Sequence, residues 1–265
     1  MKNIAFIFLL ISLCQSVIGQ GEIDNQEKLL FQNERSVSIS LNTNGFGAGY
    51  RFGKRKTYLN KTLYDIELAY IRHPKETKMA PDVIGFTTSR RYVYGKLNLF
   101  LNLRPSIGFQ REIFSKEDRG SIAIKYYYGA GPSLGITKPI YYTFIIGDNT
   151  GTNYYSVDQK FFTAQHPYGI AGRASFWKGF DEIALYPGLH ANLGISFEYS
   201  PLNQVINAID VSATFDAFYK KIPIMATDLN SQFFFTLSVA YRFGWVVDAK
   251  YKAPKITKEG RRKTE

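Results

Sequence analysis

The chain has 265 residues, and its 33 Lys and Arg against 22 Asp and Glu give a formal charge of +11. Aromatic residues make up 16% of it, with 19 Tyr and 21 Phe, more than a water-soluble sandwich needs. No apolar run reaches the length of a membrane helix, which excludes a helical membrane protein, and the single Cys excludes a disulfide scaffold.

Lys2 precedes an apolar run from Ile4 to Leu13, and Val17, Ile18 and Gly19 put short side chains before Gln20. This pattern predicts a secretory signal over residues 1–19. Leu13 stands where lipoprotein processing requires a small residue, so Cys14 is not expected to carry lipid. Cleavage after Gly19 removes the only thiol. Residues 20–34 then form a periplasmic N-terminal segment.

From residue 35 the sequence alternates with a period of two, the signature of strands with one apolar and one mixed face. Val37, Ile39 and Leu41 oppose Ser36, Ser38 and Ser40; after an Asn44-Gly45 turn, Phe46, Ala48, Tyr50 and Phe52 oppose Gly47, Gly49 and Arg51. A basic turn, Gly53 to Lys56, leads to Tyr64, Ile66, Leu68 and Tyr70, which oppose Asp65, Glu67 and Ala69. Further strands are expected at Arg91 to Asn98 and Leu103 to Phe114. In the next, Ile124, Tyr126 and Tyr128 oppose Lys125 and Tyr127, and a break at Gly129 to Pro132 separates it from another over Leu134 to Ile145.

Gly147 to Pro187 is the one long irregular stretch, rich in aromatics that include Phe176, Trp177 and Phe180. Leu189, Leu193, Ile195 and Phe197 then oppose His190, Gly194 and Glu198, and Ile209, Val211 and Phe215 oppose Asp210 and Asp216. Lys220 to Met225 sets Ile222, Ile224 and Met225 after two lysines, either as a docking patch or packed against the long loop. The last strand is the clearest: Phe233, Phe235, Leu237, Val239, Tyr241 and Phe243 share one face, while Thr236, Ser238 and Arg242 occupy the other.

These strands predict an all-β fold, a transmembrane up-and-down antiparallel β-barrel of about ten strands over residues 35–244, with eight or twelve as alternatives. In such a barrel the mixed face lines the lumen, which gathers Arg51, Asp65, Glu67, Lys125, His190, Glu198, Asp210, Asp216 and Arg242 into one polar network. A soluble core could not hold so many charges unless each were paired. With ten strands, the connections at His73 to Thr87, Ser115 to Gly120, Gly147 to Pro187 and Lys221 to Asn230 face outward. Barrels this small are filled by side chains, whereas open channels need about sixteen strands.

Residues 245–265 form a basic periplasmic tail. From Lys250 to Glu265, the seven basic residues Lys250, Lys252, Lys255, Lys258, Arg261, Arg262 and Lys263 face only Glu259 and Glu265. Export excludes nucleic acid as the natural partner, which leaves outer-membrane lipid or an acidic envelope protein, or a solvated tail without a partner. Three histidines without HExxH, paired Cys or an EF-hand loop give no metal or cofactor site. His190, Asp210 and Asp216 are the set from which a rim hydrolase would have to be built, but no local motif of such enzymes accompanies them.

Several segments, in order, carry a resemblance: GKRKTYLNK (Gly53 to Lys61), HPKE (His73 to Glu76), VYGKLN (Val93 to Asn98), GAGPSLGITKPIYY (Gly129 to Tyr142), YPGLHANLG (Tyr186 to Gly194) and KKIPIM (Lys220 to Met225). Together they resemble a Bacteroidota outer-membrane β-barrel family. The resemblance implies a barrel fold and an outer-membrane location, and it brings no catalytic residues. Tyr241 to Gly244 is similar to the aromatic-ended final strand that barrel-assembly machinery recognises. The expected function is that of a non-enzymatic barrel serving as a structural or accessory subunit of an envelope assembly for secretion, barrel assembly or surface anchoring. A small selective channel or apolar-solute binder is the first alternative and a rim hydrolase the second.

Overall fold

The structure, a computed structural model, describes residues 32–57, 59–80, 91–115, 121–147, 154–161, 169–200 and 205–248. The expected signal and the tail residues from Lys250 to Lys263 lie outside them. Among the described residues there are thirteen strands: β1 (Gln32–Asn42), β2 (Gly45–Arg55), β3 (Asn60–Ile71), β4 (Lys78–Met79), β5 (Tyr92–Val93), β6 (Asn98–Phe114), β7 (Ala123–Pro139), β8 (Tyr141–Gly147), β9 (Tyr154–Lys160), β10 (Ile170–Arg173), β11 (Ala184–Glu198), β12 (Val205–Phe218) and β13 (Phe233–Asp248). Eight of them close an antiparallel barrel in the order β1-β13-β12-β11-β7-β6-β3-β2. β10-β8-β9 and β4-β5 form two small sheets beside it.

The barrel therefore has eight strands, the smaller of the two alternatives to ten, for two physical reasons. Residues 91–98 supply only the short β5 and then run into β6, because Tyr92 packs into a cluster above the barrel instead of lining it. The Gly129 to Pro132 segment does not break the chain, and β7 runs straight through it. Its ladder to β6 lapses between the Leu103–Leu134 and Ile107–Ala130 pairs with the register unchanged. Pro105 and Pro132 face each other in that gap, and neither has an N–H to offer. Gly131 is needed beside it, since a Cβ there would lie 2.1 Å from the Pro105 carbonyl oxygen. Gly131→Val is accordingly expected to stop the β6–β7 seam from closing. The check is loss of the compact, heat-modifiable band on a gel, while Ala130→Val, on the outward face, leaves it intact.

β1 begins and β13 ends at the same end, here called the lower end. The β2–β3, β6–β7 and β11–β12 connections also lie there. β6 thus ends and β7 begins opposite the end expected from ten strands, a direct consequence of the lost strand at 91–98, while residues 116–120 between them lie outside the described residues. The upper end carries the tight β1–β2 turn and the three large connections, β3–β6, β7–β11 and β12–β13. Nor is Gly147 to Pro187 wholly irregular: β9 and β10 pair with β8, and β11 starts at Ala184.

Alternation sorts the barrel side chains by face. Val37, Ile39, Leu41, Ile66, Leu189, Leu193, Phe235 and Val239 are all exposed on the outside, up to 72% for Leu41. Along β11 the apolar outer face runs from Leu185 to Phe197, a rise of about 30 Å at the usual pitch and tilt of barrel strands. An apolar belt of this extent exceeds anything a soluble monomer leaves in water.

The core is consequently split. Polar and charged groups fill the lumen, and two apolar clusters sit over its upper mouth. The first joins Ile71, Phe100 and Phe218 of the barrel to Ile222, Ile224 and Met225 of the β12–β13 connection. The second holds Tyr92, Ile140, Tyr142, Phe144, Phe161 and Ile170.

Candidate functional site

The lumen is built in layers, and each layer follows from the cross-strand register. At the lower end Lys61 pairs with Glu34 and Lys125 with Glu198, two ion pairs contributed by β1, β3, β7 and β11. Ser200 donates to Glu198 at 3.3 Å.

The middle layer crosses the barrel. Arg51 and Asp65 are directly opposed on β2 and β3, with Nε 2.7 Å from Oδ1. Arg51 Nη1 also comes within 3.7 Å of Asp210 on β12, and Asp210 is bonded to Arg242. The Tyr127 ring fills the space between them. The Arg51 guanidinium stands 4.3 Å from its centroid and that of Arg242 5.9 Å. Gly194 makes room for the ring, because a Cβ there would lie 2.5 Å from Tyr127 Cζ.

The upper layer centres on Asp216, which has no exposed surface. Arg104 grips it with two bonds, Nε to Oδ1 at 3.0 Å and Nη2 to Oδ2 at 2.6 Å. Asn102 donates to it at 2.9 Å and Ser133 at 3.2 Å. The second carboxylate near Arg104 is Glu67, at 3.5 Å. His190 is paired across the ladder with Asp216 and its Nδ1 lies 3.1 Å from Ser133 Oγ.

Between the layers remains a cavity of about 50 Å³, lined by Ser38, Tyr127, Asn192, Asp210 and Arg242 among others. It has room for a few water molecules.

Above the Asp216 layer the mouth is shut by packing. Phe100 meets Phe218 edge-on at 5.6 Å and Phe234 at 5.5 Å. The Ile222-Pro223-Ile224-Met225 segment lies over them and is fixed by Asn230, whose Oδ1 accepts from the Ile224 and Met225 amides at 3.1 and 3.2 Å. Leu97 N donates to the Ile224 carbonyl at 2.9 Å. The apolar half of Lys220 to Met225 is thus a stopper, turned inward, and not an exposed patch.

Among the described residues no group of His, Cys, Asp and Glu is placed to hold a metal ion. The barrel is closed by ion pairs below and by aromatic packing above. No protein-family model matches the chain, and no curated protein does. Solved structures similar to it are the Neisserial surface protein A (12% identity, TM-score 0.33, covering 82% of this chain and 96% of that one), Ail, the attachment invasion locus protein of Yersinia pestis (9%, 0.37, 82% and 99%), and the N-terminal β-barrel domain of Pseudomonas aeruginosa OprF (9%, 0.31, 80% and 97%). At this level of likeness nothing about activity or partners transfers.

All nine lumen residues named from the sequence point inward, but they do not form one network. Lys125 and Glu198 belong to the lower pair; Arg51, Asp65, Asp210 and Arg242 to the middle; Glu67, His190 and Asp216 to the top. Asp210 and Asp216 are bound to different arginines, so the two acids and His190 do not converge on one point.

Sequence reasoning missed Arg104, Glu34, Lys61 and the stacking role of Tyr127. Glu34 and Lys61 stand just before the strands as they were bounded from alternation. Arg104 lies inside the strand expected over Leu103 to Phe114, to which no faces are assigned from the sequence, and Phe100, Asn102, Arg104 and Ser106 carry the inward rhythm that locates it.

Outside the barrel, the upper sheet has its own polar ties. The Tyr142 hydroxyl lies 2.7 Å from the carbonyl oxygens of both Val93 and Lys96, and burial pushes its pKa above the ordinary tyrosine value. Lys96 Nζ reaches Glu76 at 2.6 Å and Tyr70 at 2.8 Å. Bonds from Lys178 and from Thr143 hold the Asp158 carboxyl below its ordinary range.

Proposed function

We propose that this protein is an integral outer-membrane β-barrel of a Gram-negative bacterium, of the Bacteroidota type its segments resemble. We read it as a non-enzymatic accessory or anchoring subunit of an envelope assembly. The observation that carries the reading is the combination of an apolar outer belt with a lumen occupied by matched ion pairs and stoppered by Phe100, Phe218, Ile222 and Ile224. Hydrocarbon accepts such a belt only on a closed barrel, where every strand has both neighbours. A lumen so filled supports an accessory role over that of a channel. In this reading the parts that act are the small sheets at the upper mouth and the basic residues Lys250 to Lys263, which follow β13 in sequence and lie outside the described residues.

The test is purification from the native envelope in mild detergent. The expected result is extraction only with detergent, heat-modifiable migration, and a co-purifying envelope protein whose recovery falls when residues 250–265 or the upper connections are removed. A lone monomer, unaffected by either deletion, would sink the accessory reading. Planar-bilayer recording checks the channel alternative, and the wild-type barrel is expected to give no resolved unitary conductance at neutral pH.

A further inference from the structure

One group of apolar side chains belongs neither to the strand belt nor to the stopper. Residues 174–183, between β10 and β11, form a compact knuckle that carries Phe176, Trp177 and Phe180 in mutual contact, with centroids 5.4 to 5.8 Å apart. All three are exposed, Trp177 at 78%. A flexible loop would turn such residues inward. This one is held out. Ala174 N donates to the Tyr141 carbonyl at 2.9 Å, turns close at Ser175 to Lys178 and at Gly179 to Glu182, and Gly179 adopts φ +82° against the Tyr141 ring. Lys178 binds Asp158 and Lys160 binds Glu182, fastening the knuckle to β9.

Its position is set by Lys138. On β7 the outward series runs Leu134, Ile136, Lys138, so this lysine is the first charge above the apolar belt. Its ammonium lies 4.9 Å from the centroids of both Phe176 and Phe180, and only 5% of the residue is exposed. The knuckle is therefore clamped onto the outer wall of the barrel just above the apolar belt. The apolar face continues from it without a gap through Ile183 and Leu185 into the β11 belt. Arg173 stands 5.7 Å from the Phe176 ring and places a second cation at that level.

Resting on the membrane reading above, we infer that the knuckle of residues 174–183 is a lipid-seated anchor. Trp177 and its two phenylalanines enter the interfacial layer of the outer leaflet, and Lys138 is the positioning residue that points them there. Indole rings favour this layer, and apolar faces that lie in it sink about 5–10 Å into the headgroup and acyl boundary. Continuity with the strand belt favours lipid over a protein partner as the occupant.

The chain has two tryptophans, which makes a clean test possible. Trp245 is on the outward face of β13 near the lower end and serves as the reference. Full-length barrel is folded into lipid nanodiscs, one barrel per disc, as Trp245→Phe and as Trp177→Phe, using phosphatidylcholine brominated high or low on the acyl chain. Trp177 emission is expected to fall about twofold with shallow bromine, less with deep bromine, and to resist aqueous iodide. Lys138→Met should lessen the bromine quenching and Lys138→Arg restore it. If Trp245 is quenched by bromolipid while Trp177 is not, the anchor is overturned and the membrane barrel stands, whether Trp177 is open to iodide or covered by protein. If neither is quenched, the membrane reading falls and the anchor with it.

Discussion

Replacing Asp216 by alanine is expected to destabilise the folded barrel by about 3–5 kcal/mol, the usual cost of leaving one charge of a buried pair behind. Asp216 is wholly buried and takes both bonds of the Arg104 fork as well as those of Asn102 and Ser133. Without it Arg104 keeps only Glu67, at 3.5 Å. The pair also joins β6 to β12 across the lumen, strands that are not neighbours in the sheet. The double replacement Arg104→Met with Asp216→Leu should recover most of the loss, because a buried pair and a well-packed apolar pair of similar volume differ little in net stability. Urea unfolding in lipid, followed by tryptophan emission, gives the midpoints for this cycle. An Asp216→Ala midpoint equal to wild type would mean that water enters the layer freely and solvates Arg104. Asp158→Ala is the internal contrast: its partner Lys178 is half exposed, and such pairs are worth about 0–1 kcal/mol.

How far the sequence revealed this arrangement depends on what each residue's neighbours are. The final strand was legible because each of its side chains has a single environment, lipid or lumen, and a period of two records that choice. The lumen charges on the clearly alternating strands were legible for the same reason, but Glu34, Lys61 and Arg104 were not. Strand number was not, because alternation is a local signal and pairing is a long-range one. Tyr92 and Val93 look like strand residues and are, but their partners are Lys78 and Met79 rather than the barrel. Gly129 to Pro132 looks like a break because those residue types end strands elsewhere. Here two prolines meet in one ladder gap, and glycines let β6 and β7 approach. The division of nine lumen residues into three layers was equally out of reach, since it depends on stagger around the closed barrel. The stopper presents the opposite case. Lys220 to Met225 was visible as an apolar segment, and only the fold decides whether it faces out or in.

The second large effect is expected at the stopper itself. Phe100 has no exposed surface, touches Phe218 and Phe234, and reaches Gly135, where a Cβ would lie 2.9 Å from its ring. Phe100→Ala removes the centre of that packing and should cost about 3–5 kcal/mol by the same unfolding measurement. It also makes a prediction about access that stability alone does not. The void left by the ring lies directly above the Asp216 layer, so Ser133→Cys, in a background with Cys14 replaced by serine, reports on passage from the upper mouth. A water-soluble thiol reagent is expected to modify that cysteine slowly when Phe100 is present. In Phe100→Ala, where local opening of the mouth becomes cheaper, the rate should rise about tenfold or more. Conductance should nonetheless stay absent, because the Arg51, Asp65, Asp210 and Arg242 layer still crosses the lumen beneath. Equal labelling rates with and without Phe100 would show that solvent already reaches Ser133 by another route, and the stopper would then be packing without a barrier role. Current through the Phe100→Ala barrel would instead move the seal from the ion pairs to the aromatic cluster and revive the channel reading.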